Sequence, residues 1–418
     1  MFGSGLIKLL VSLLLLPADL YLLSGLKGAF PKWKFIHGKT FKWLMLSLSV
    51  FLIVGLFASI YIKLPVGIRA GVLGLFFIQI VVKFIFLFFV LADDIRRYFI
   101  SKKKKPNANP QIKEIPRSEF LMKAGLLAGT IPLVAMGVKS VSNVYDYKIL
   151  RRKLYLPNLP KQFEGMTIAQ ISDIHSGSFY NKKAVLGGVE MLLAEKPDVI
   201  FFTGDLVNDV ASEMRDYQDI FNKVKAPLGV YSTLGNHDYG DYNSWPSMTA
   251  KQKNLEDLIA THKNMGWDLL MNTHRKLKVG GEEIGILGVE NWGSLSRFPK
   301  RGRMDLAVKG TEDLPVKLLL SHDPSHWRAQ VLQKYPDIDV MFSGHTHGMQ
   351  FGVRTEHFQW SPVKYVYQEW AGFYREANQQ LYVNVGYGFL GFPGRVGILP
   401  EITIFELRSA ADPSLNKA

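Results

Sequence analysis

The sequence predicts an all-α membrane region followed by an α/β domain. Three observations carry this. Apolar runs long enough to cross a bilayer are confined to the first third of the 418 residues. From about Lys161 the pattern changes to short apolar strands alternating with amphipathic helices, as in α/β domains. Polar residues of ligand type stand just past those strands, where open α/β sheets place their sites.

The formal net charge is +14, and much of the excess lies in short basic runs beside the apolar segments. That placement favours a membrane-flanking role over nucleic-acid binding. The chain has no cysteine, which excludes disulfides and thiolate metal sites. The oligomeric state is not legible, and no internal repeat is evident.

Three segments read as spans: Leu6 to Leu26 with Asp19 as its only acid, Leu44 to Ile62, and Val72 to Leu91 with Lys83 inside it. A lysine there is costly in lipid and calls for snorkelling or a partner helix. Two further spans follow the first, so a cleaved signal peptide is a poor reading of it. A fourth, weaker segment runs from Phe120 to Val138 and contains Lys123 and Pro132. Its prefix, Pro116-Arg117-Ser118-Glu119-Phe120-Leu121, is similar to a twin-arginine export signal with one arginine missing. The expected organisation is residues 1–100 for about three membrane helices, 101–119 for a basic linker and 120–140 for a fourth membrane helix. A linker at 141–160, an α/β domain at 161–408 and a tail at 409–418 follow.

The loops after the first and third spans are basic, and basic loops stay cytoplasmic. With a fourth crossing, the α/β domain then lies outside the cytoplasm of a multi-pass inner or plasma membrane protein. Lys148, Arg151, Arg152 and Lys153 argue the other way, because they would have to be translocated. The alternative keeps the fourth segment on the surface and the domain in the cytosol.

In the domain, strands are expected at Met166–Ser172, Val199–Thr203, Gly229–Leu234, Ile284–Val289, Lys317–Ser321 and Val340–Ser343. Two more near Gln380–Val385 and Glu401–Leu407 would close the sheet. Helices are expected at Lys182–Glu195, Ser212–Val224, Lys251–His262 and Ser325–Lys334. Just past strand ends come Asp173-Ile174-His175, Gly204-Asp205-Leu206-Val207-Asn208, Gly235-Asn236-His237-Asp238, His322-Asp323-Pro324 and Gly344-His345-Thr346-His347. Singly, these suit turns, helix caps or structural histidines. Five such blocks, each after a strand, point to one convergent site.

The donors are Asp173, His175, Asp205, Asn236, His322, His345 and His347. Seven oxygen and imidazole donors are too many for one tetrahedral zinc. They suit two divalent ions sharing a carboxylate, and the mixed set favours Mn, Fe, Zn or similar over calcium. Two such ions would activate a bridging water and clamp a phosphoryl group.

The blocks DIH, GDLVN, GNHD, SHDP and GHTHG, in this order, resemble the calcineurin-like metallophosphoesterase superfamily, over roughly Lys161 to Leu407. The stretch Leu381 to Gly388, with Pro400-Glu401-Ile402 after it, is similar to the membrane-associated bacterial branch. The resemblance implies two packed β-sheets flanked by helices, with a dinuclear site at the sheet edges. It implies one metal on Asp173, His175 and His347, a second on Asn236, His322 and His345, and Asp205 bridging. It also implies that His237 stabilises the phosphoryl group or protonates the leaving oxygen, with Asp238 orienting His237. Two departures stand out: Asn208 where aspartate is common, and Met349 where a second glycine is usual.

The function expected is a membrane-anchored, metal-dependent hydrolase of phosphomonoester, phosphodiester or pyrophosphate bonds. Its partners would be the bilayer and a phosphoester that is lipid-linked in one version. The alternatives are a nucleotide phosphodiesterase and a non-catalytic metal-binding sensor or scaffold. The basic residues Arg297, Lys300, Arg301 and Arg303 suit substrate phosphates or a solvated loop. The aromatic stretch Phe351 to Tyr374 suits a wall for a lipid or nucleobase, an interfacial contact, or a covering loop with its own small core.

Overall fold

The computed structural model describes residues 15–62, 66–103, 116–355 and 358–409. They form two compact units that divide between Lys139 and Ser140.

The first unit is helical: α1 (Leu15–Ala29), α2 (Lys39–Tyr61), α3 (Val66–Lys103) and α4 (Glu119–Ser142). Among the described residues, Lys39–Ser59 and Gly74–Lys102 are long and apolar enough to cross a membrane. The span expected at Leu6 to Leu26 lies partly outside the described residues, as does most of the basic linker. Small residues let the helices close up. A Cβ on Gly25 of α1 would overlap Val90 and Phe86 of α3, and one on Gly125 of α4 would overlap Phe89. Lys83 finds its partner on another helix: its Nζ lies 2.7 Å from Asp19 Oδ1 of α1 and donates to Ser49 Oγ of α2 at 2.7 Å. Asp19 is fully buried. At the other end of α3, Arg117 pairs with both Asp93 and Asp94.

The second unit is two six-stranded mixed sheets. One runs in the order β1 (Lys148–Tyr155), β14 (Glu401–Arg408), β2 (Thr167–Ile171), β3 (Val199–Phe202), β4 (Val230–Ser232), β5 (Asp268–Leu269). The other runs β12 (Gly372–Glu376), β13 (Gln379–Val383), β9 (Val340–Ser343), β8 (Lys317–Leu320), β7 (Glu282–Gly288), β6 (Thr273–Val279). A two-stranded ribbon, β10 (Val353–Arg354) with β11 (Gln359–Trp360), stands apart. The central strands β3, β8, β9 and β13 are buried at every position and mostly apolar because both of their faces are covered. Ile168, Phe201, Leu318, Leu320, Phe342 and Phe405 form the core between the sheets. Their neighbours alternate outward. Ala169, Ile171, Ile200 and Phe202 pack under α5 (Lys182–Ala194) and α6 (Met248–Asn264). Leu319, Met341, Leu381 and Val383 form a third cluster around Trp327.

Two expectations need correction. The stretch 141–160 is not a linker. It holds β1, which pairs in parallel with β14 over its whole length. Its sequence, KILRRKLY, is too basic to read as strand, but it is an edge strand with one fully buried side chain, Leu154. The helix expected at Ser212–Val224 is a 3-10 segment, Ala211–Asp216, followed by one short turn, Gln218–Phe221. That expected at Ser325–Lys334 is helical over those bounds, with a π-helical turn, Trp327–Val331, inside it.

Candidate metal centre

The sheet order makes the site. The parallel neighbours β2, β3 and β4 end side by side in one sheet, and β8 and β9 end side by side in the other. Gln170 of β2 donates to the Ser343 carbonyl of β9 at 3.0 Å, stitching the two edges together. The residues after these five strands therefore meet.

The structure places them in two groups. Asp173, His175 and His347 form one, and Asp205, His322 and His345 the other, with ligand-type atoms in each within 4.8 Å of one another. Asp205 Oδ2 lies 3.5 Å from His175 Nε2 and 3.1 Å from His322 Nε2, between the groups. Asn236 joins the second group through Oδ1, 2.8 Å from His345 Nδ1. All seven expected donors are thus gathered.

The backbone is bent to achieve this. Asp173, His175, Asp205, His345 and His347 all have φ between 48° and 74°, in the left-handed region that side chains rarely adopt. Each such residue costs on the order of 1 kcal/mol or more. Two glycines admit them. A Cβ on Gly344 would overlap the Asp173 carboxylate, and one on Gly235 would overlap that of Asp205.

The donor set fits a cation. Both ring nitrogens of the fully buried His175, and Nε2 of His347, lack a hydrogen-bond partner among the described residues. Burial pushes the His175 imidazole down to about 3 and His345 down to about 4, so both are neutral and carry a free lone pair. Burial pushes the Asp173 carboxyl up to about 6. His322 goes the other way. Burial opposes its charge, but the Asp205 carboxylate outweighs that and lifts it to about 10. The cluster thus holds one buried positive charge against Asp205, and a metal cation can replace that proton.

Two neighbours orient the imidazoles, and no sequence motif marks either for that role. Tyr367 donates its hydroxyl to Asp323 at 3.4 Å and sits 2.7 Å from His345 Nε2. An Nε2–H donating to Tyr367 leaves Nδ1, on the donor side, as the free lone pair. The fully buried Arg395 donates to the Val385 and Gly386 carbonyls and lies 3.3 Å from His347 Nδ1. Asp323 stood in view within His322-Asp323-Pro324. Tyr367 and Arg395 lie in loops with no motif of their own.

Residues 166–349 match the family model for the calcineurin-like phosphoesterase, and residues 4–142 match that for the transmembrane domain of such phosphoesterases. The chain belongs to the calcineurin-like phosphoesterases. Among similar proteins is a "Transmembrane protein with metallophosphoesterase domain" of Danio rerio, 30% identical over 63% of this chain and 58% of that one. The chain therefore spans a little over half of that relative's length. The "Uncharacterized metallophosphoesterase YkuE" of Bacillus subtilis is 29% identical over 60% of this chain and 82% of its own. The "UDP-2,3-diacylglucosamine pyrophosphatase LpxG" of Chlamydia trachomatis is 29% identical over 56% of this chain and 80% of its own.

Calcineurin-like phosphoesterases use divalent metals, and the two groups gathered here are candidates to hold them. Its two catalytic candidates behave differently. His237 lines an open groove of about 660 Å³ beside the donors, with Nδ1 2.6 Å from the Asn208 carbonyl. Asp238 does not orient that ring. Its carboxylate turns back and accepts from the backbone N–H groups of Asp205, Leu206, Val207 and Gly235. Those four donors leave it nothing to offer His237. The substitution at Asn208 is harmless to the ring for the same reason: the contact is a backbone carbonyl, which any residue supplies. Met349 adopts φ 50°, where glycine would be unstrained, and its side chain lines the groove.

The basic loop is mostly spoken for. Arg301 pairs with Asp241 and Arg303 with Asp305, while Lys300 lies over the Trp292 ring. Arg297 lines the groove. The aromatic stretch has its own core of Val363, Tyr367, Trp370 and Ala371 against Val385 and Ile398. Tyr365 and Phe358 remain exposed.

Proposed function

We propose that this chain is a membrane-anchored phosphoesterase holding two divalent ions. Asp173, His175 and His347 would hold one, Asn236, His322 and His345 the other, and Asp205 both. The observation that carries this is the position of Asp205 Oδ2, within 3.5 Å of a histidine from each group. The imidazole and carboxylate donors suit Mn, Fe or Zn. Such ions, when bound, supply Lewis acidity toward phosphoryl oxygens and lower the pKa of a water between them.

The chain's own residues do the remaining work. The carboxylates and imidazoles of the two groups would hold the ions beside the groove. His237, tied back through Nδ1, keeps Nε2 as the atom that meets a phosphoryl oxygen or passes a proton to the leaving oxygen. The hydrolysed bond is a phosphomonoester, phosphodiester or pyrophosphate. The bilayer anchor and the relative named as a UDP-2,3-diacylglucosamine pyrophosphatase favour a lipid-linked substrate.

The domain is read as extracytoplasmic, with four crossings. Two things support this: the positive-inside charge of the loops and the matched transmembrane region, which embraces all four apolar segments.

The activity test is turnover of a generic aryl phosphodiester by the detergent-solubilised full chain with Mn²⁺. Asp205→Asn and His345→Ala should each lose about a thousandfold or more while keeping the far-ultraviolet circular dichroism of the parent. Activity retained in either variant would sink the assignment.

A further inference from the structure

The groove beside the donors is amphipathic in a specific way. Its inner end carries Asn236, His237 and His345. Its sides carry Leu295, Phe298, Val363, Val366 and Leu390. Phe298 is buried and packs edge-on against His345, ring centroids 5.0 Å apart, so the apolar wall begins at the donors themselves. Val366, 54% exposed, stands where the groove opens to solvent. Between the two surfaces stands Arg297. Its guanidinium lies 4.6 Å from the centre of the Phe298 ring and beside the Tyr367 hydroxyl. Its neighbours Arg301 and Arg303 are held by Asp241 and Asp305 and are not available to a ligand.

A water-soluble nucleotide or sugar phosphate would leave this wall wet. A hydrocarbon chain attached close to the phosphoryl group would cover it. Charge complementarity sets the direction: the anionic end meets Arg297 and the donor groups, and the chain runs out toward Val366.

We infer that the groove is a subsite for the hydrocarbon chain of an amphiphilic phosphoester, with Arg297 binding the anionic group next to the chain. This rests on the phosphoesterase reading above and deepens it: substrate choice is set by a loop wall rather than by the metal donors. Burial of apolar area in such a groove gains up to about fourfold in affinity for each methylene covered. The gain stops when the groove, about 660 Å³, is filled.

The test is calorimetric binding of ethyl-, hexyl- and decylphosphonate, below their micellar concentrations, to the Mn²⁺-loaded full chain in lipid nanodiscs, with empty nanodiscs subtracted. Affinity should rise by at least tenfold from ethyl to hexyl. Val366→Asp should flatten that slope. Arg297→Gln should weaken all three ligands by a similar factor and leave the slope. A flat series in the parent, or an equal slope in Val366→Asp, would overturn the inference. Aryl phosphodiester turnover separates the two readings. Turnover with a flat series removes the hydrocarbon subsite alone, and a steep series without turnover removes the phosphoesterase reading alone.

Discussion

Asp238 is fully buried, and its carboxylate accepts from four backbone N–H groups. Burial and the nearby Asp205 charge push its carboxyl up to about 7, and those N–H donors work against that rise. Asn in its place would aim an amide NH₂ at two of the four donors. Asp238→Asn should therefore destabilise the domain by roughly 2–4 kcal/mol, read as a lowered melting temperature. His237→Gln should do the reverse, lowering kcat by about a hundredfold with little change in melting. A shifted pH profile of kcat in Asp238→Asn, with melting unchanged, would restore the orienting role. The gathering of the seven candidate donors was legible at this scale because each follows a strand and each has ligand chemistry. The role of Asp238 was not. Adjacency to His237 suggested a side-chain pair, whereas the left-handed turn at Asp205 brings the 205–207 backbone under the carboxylate.

Among elements, the helices of the first unit are tied by the Asp19–Lys83 pair, with Ser49 as a third member. Removing one partner leaves a largely buried charge without its counterion. Asp19→Leu or Lys83→Met alone should destabilise the helical unit by about 3–5 kcal/mol, and the double variant by less than either. Unfolding of the full chain in detergent, followed by tryptophan fluorescence, measures the cycle; additive losses would show the pair to be uncoupled. The sequence showed that Lys83 needs a partner and that Asp19 is the one acid in its span, but not that they meet. The register of helix packing, set by Gly25 against Val90, is a three-dimensional fact. The strand elements divide along a similar line. β3, β8 and β9 read clearly because two buried faces demand unbroken apolar runs. β1 escaped because five of its eight residues are polar or aromatic (Lys148, Arg151, Arg152, Lys153 and Tyr155), and its pairing with β14 is long-range. Local pattern cannot announce a partner some 250 positions away.

For the whole molecule, the fold class followed from the alternation of strands and helices, and the order of the two sheets did not. That order decides the site, since it sets β2, β3 and β4 beside one another and β8 beside β9. Sidedness can be read directly because the chain has no cysteine. A Ser212→Cys variant, with its new thiol on the exposed surface of the α/β unit, gives a single reporter with no background. It should react with a membrane-impermeant maleimide added to intact spheroplasts. Labelling only after lysis would place the domain in the cytosol and make the fourth segment a surface helix.

The Asp19–Lys83 contact also bears on how the chain is made. Either charge alone costs about 2.5–3.5 kcal/mol to release into hydrocarbon. The acid is synthesised first and its counterion two apolar segments later. On the four-crossing reading proposed above, the opening helix sheds that cost when the third arrives to pair with it, so the two are expected to settle in the bilayer together.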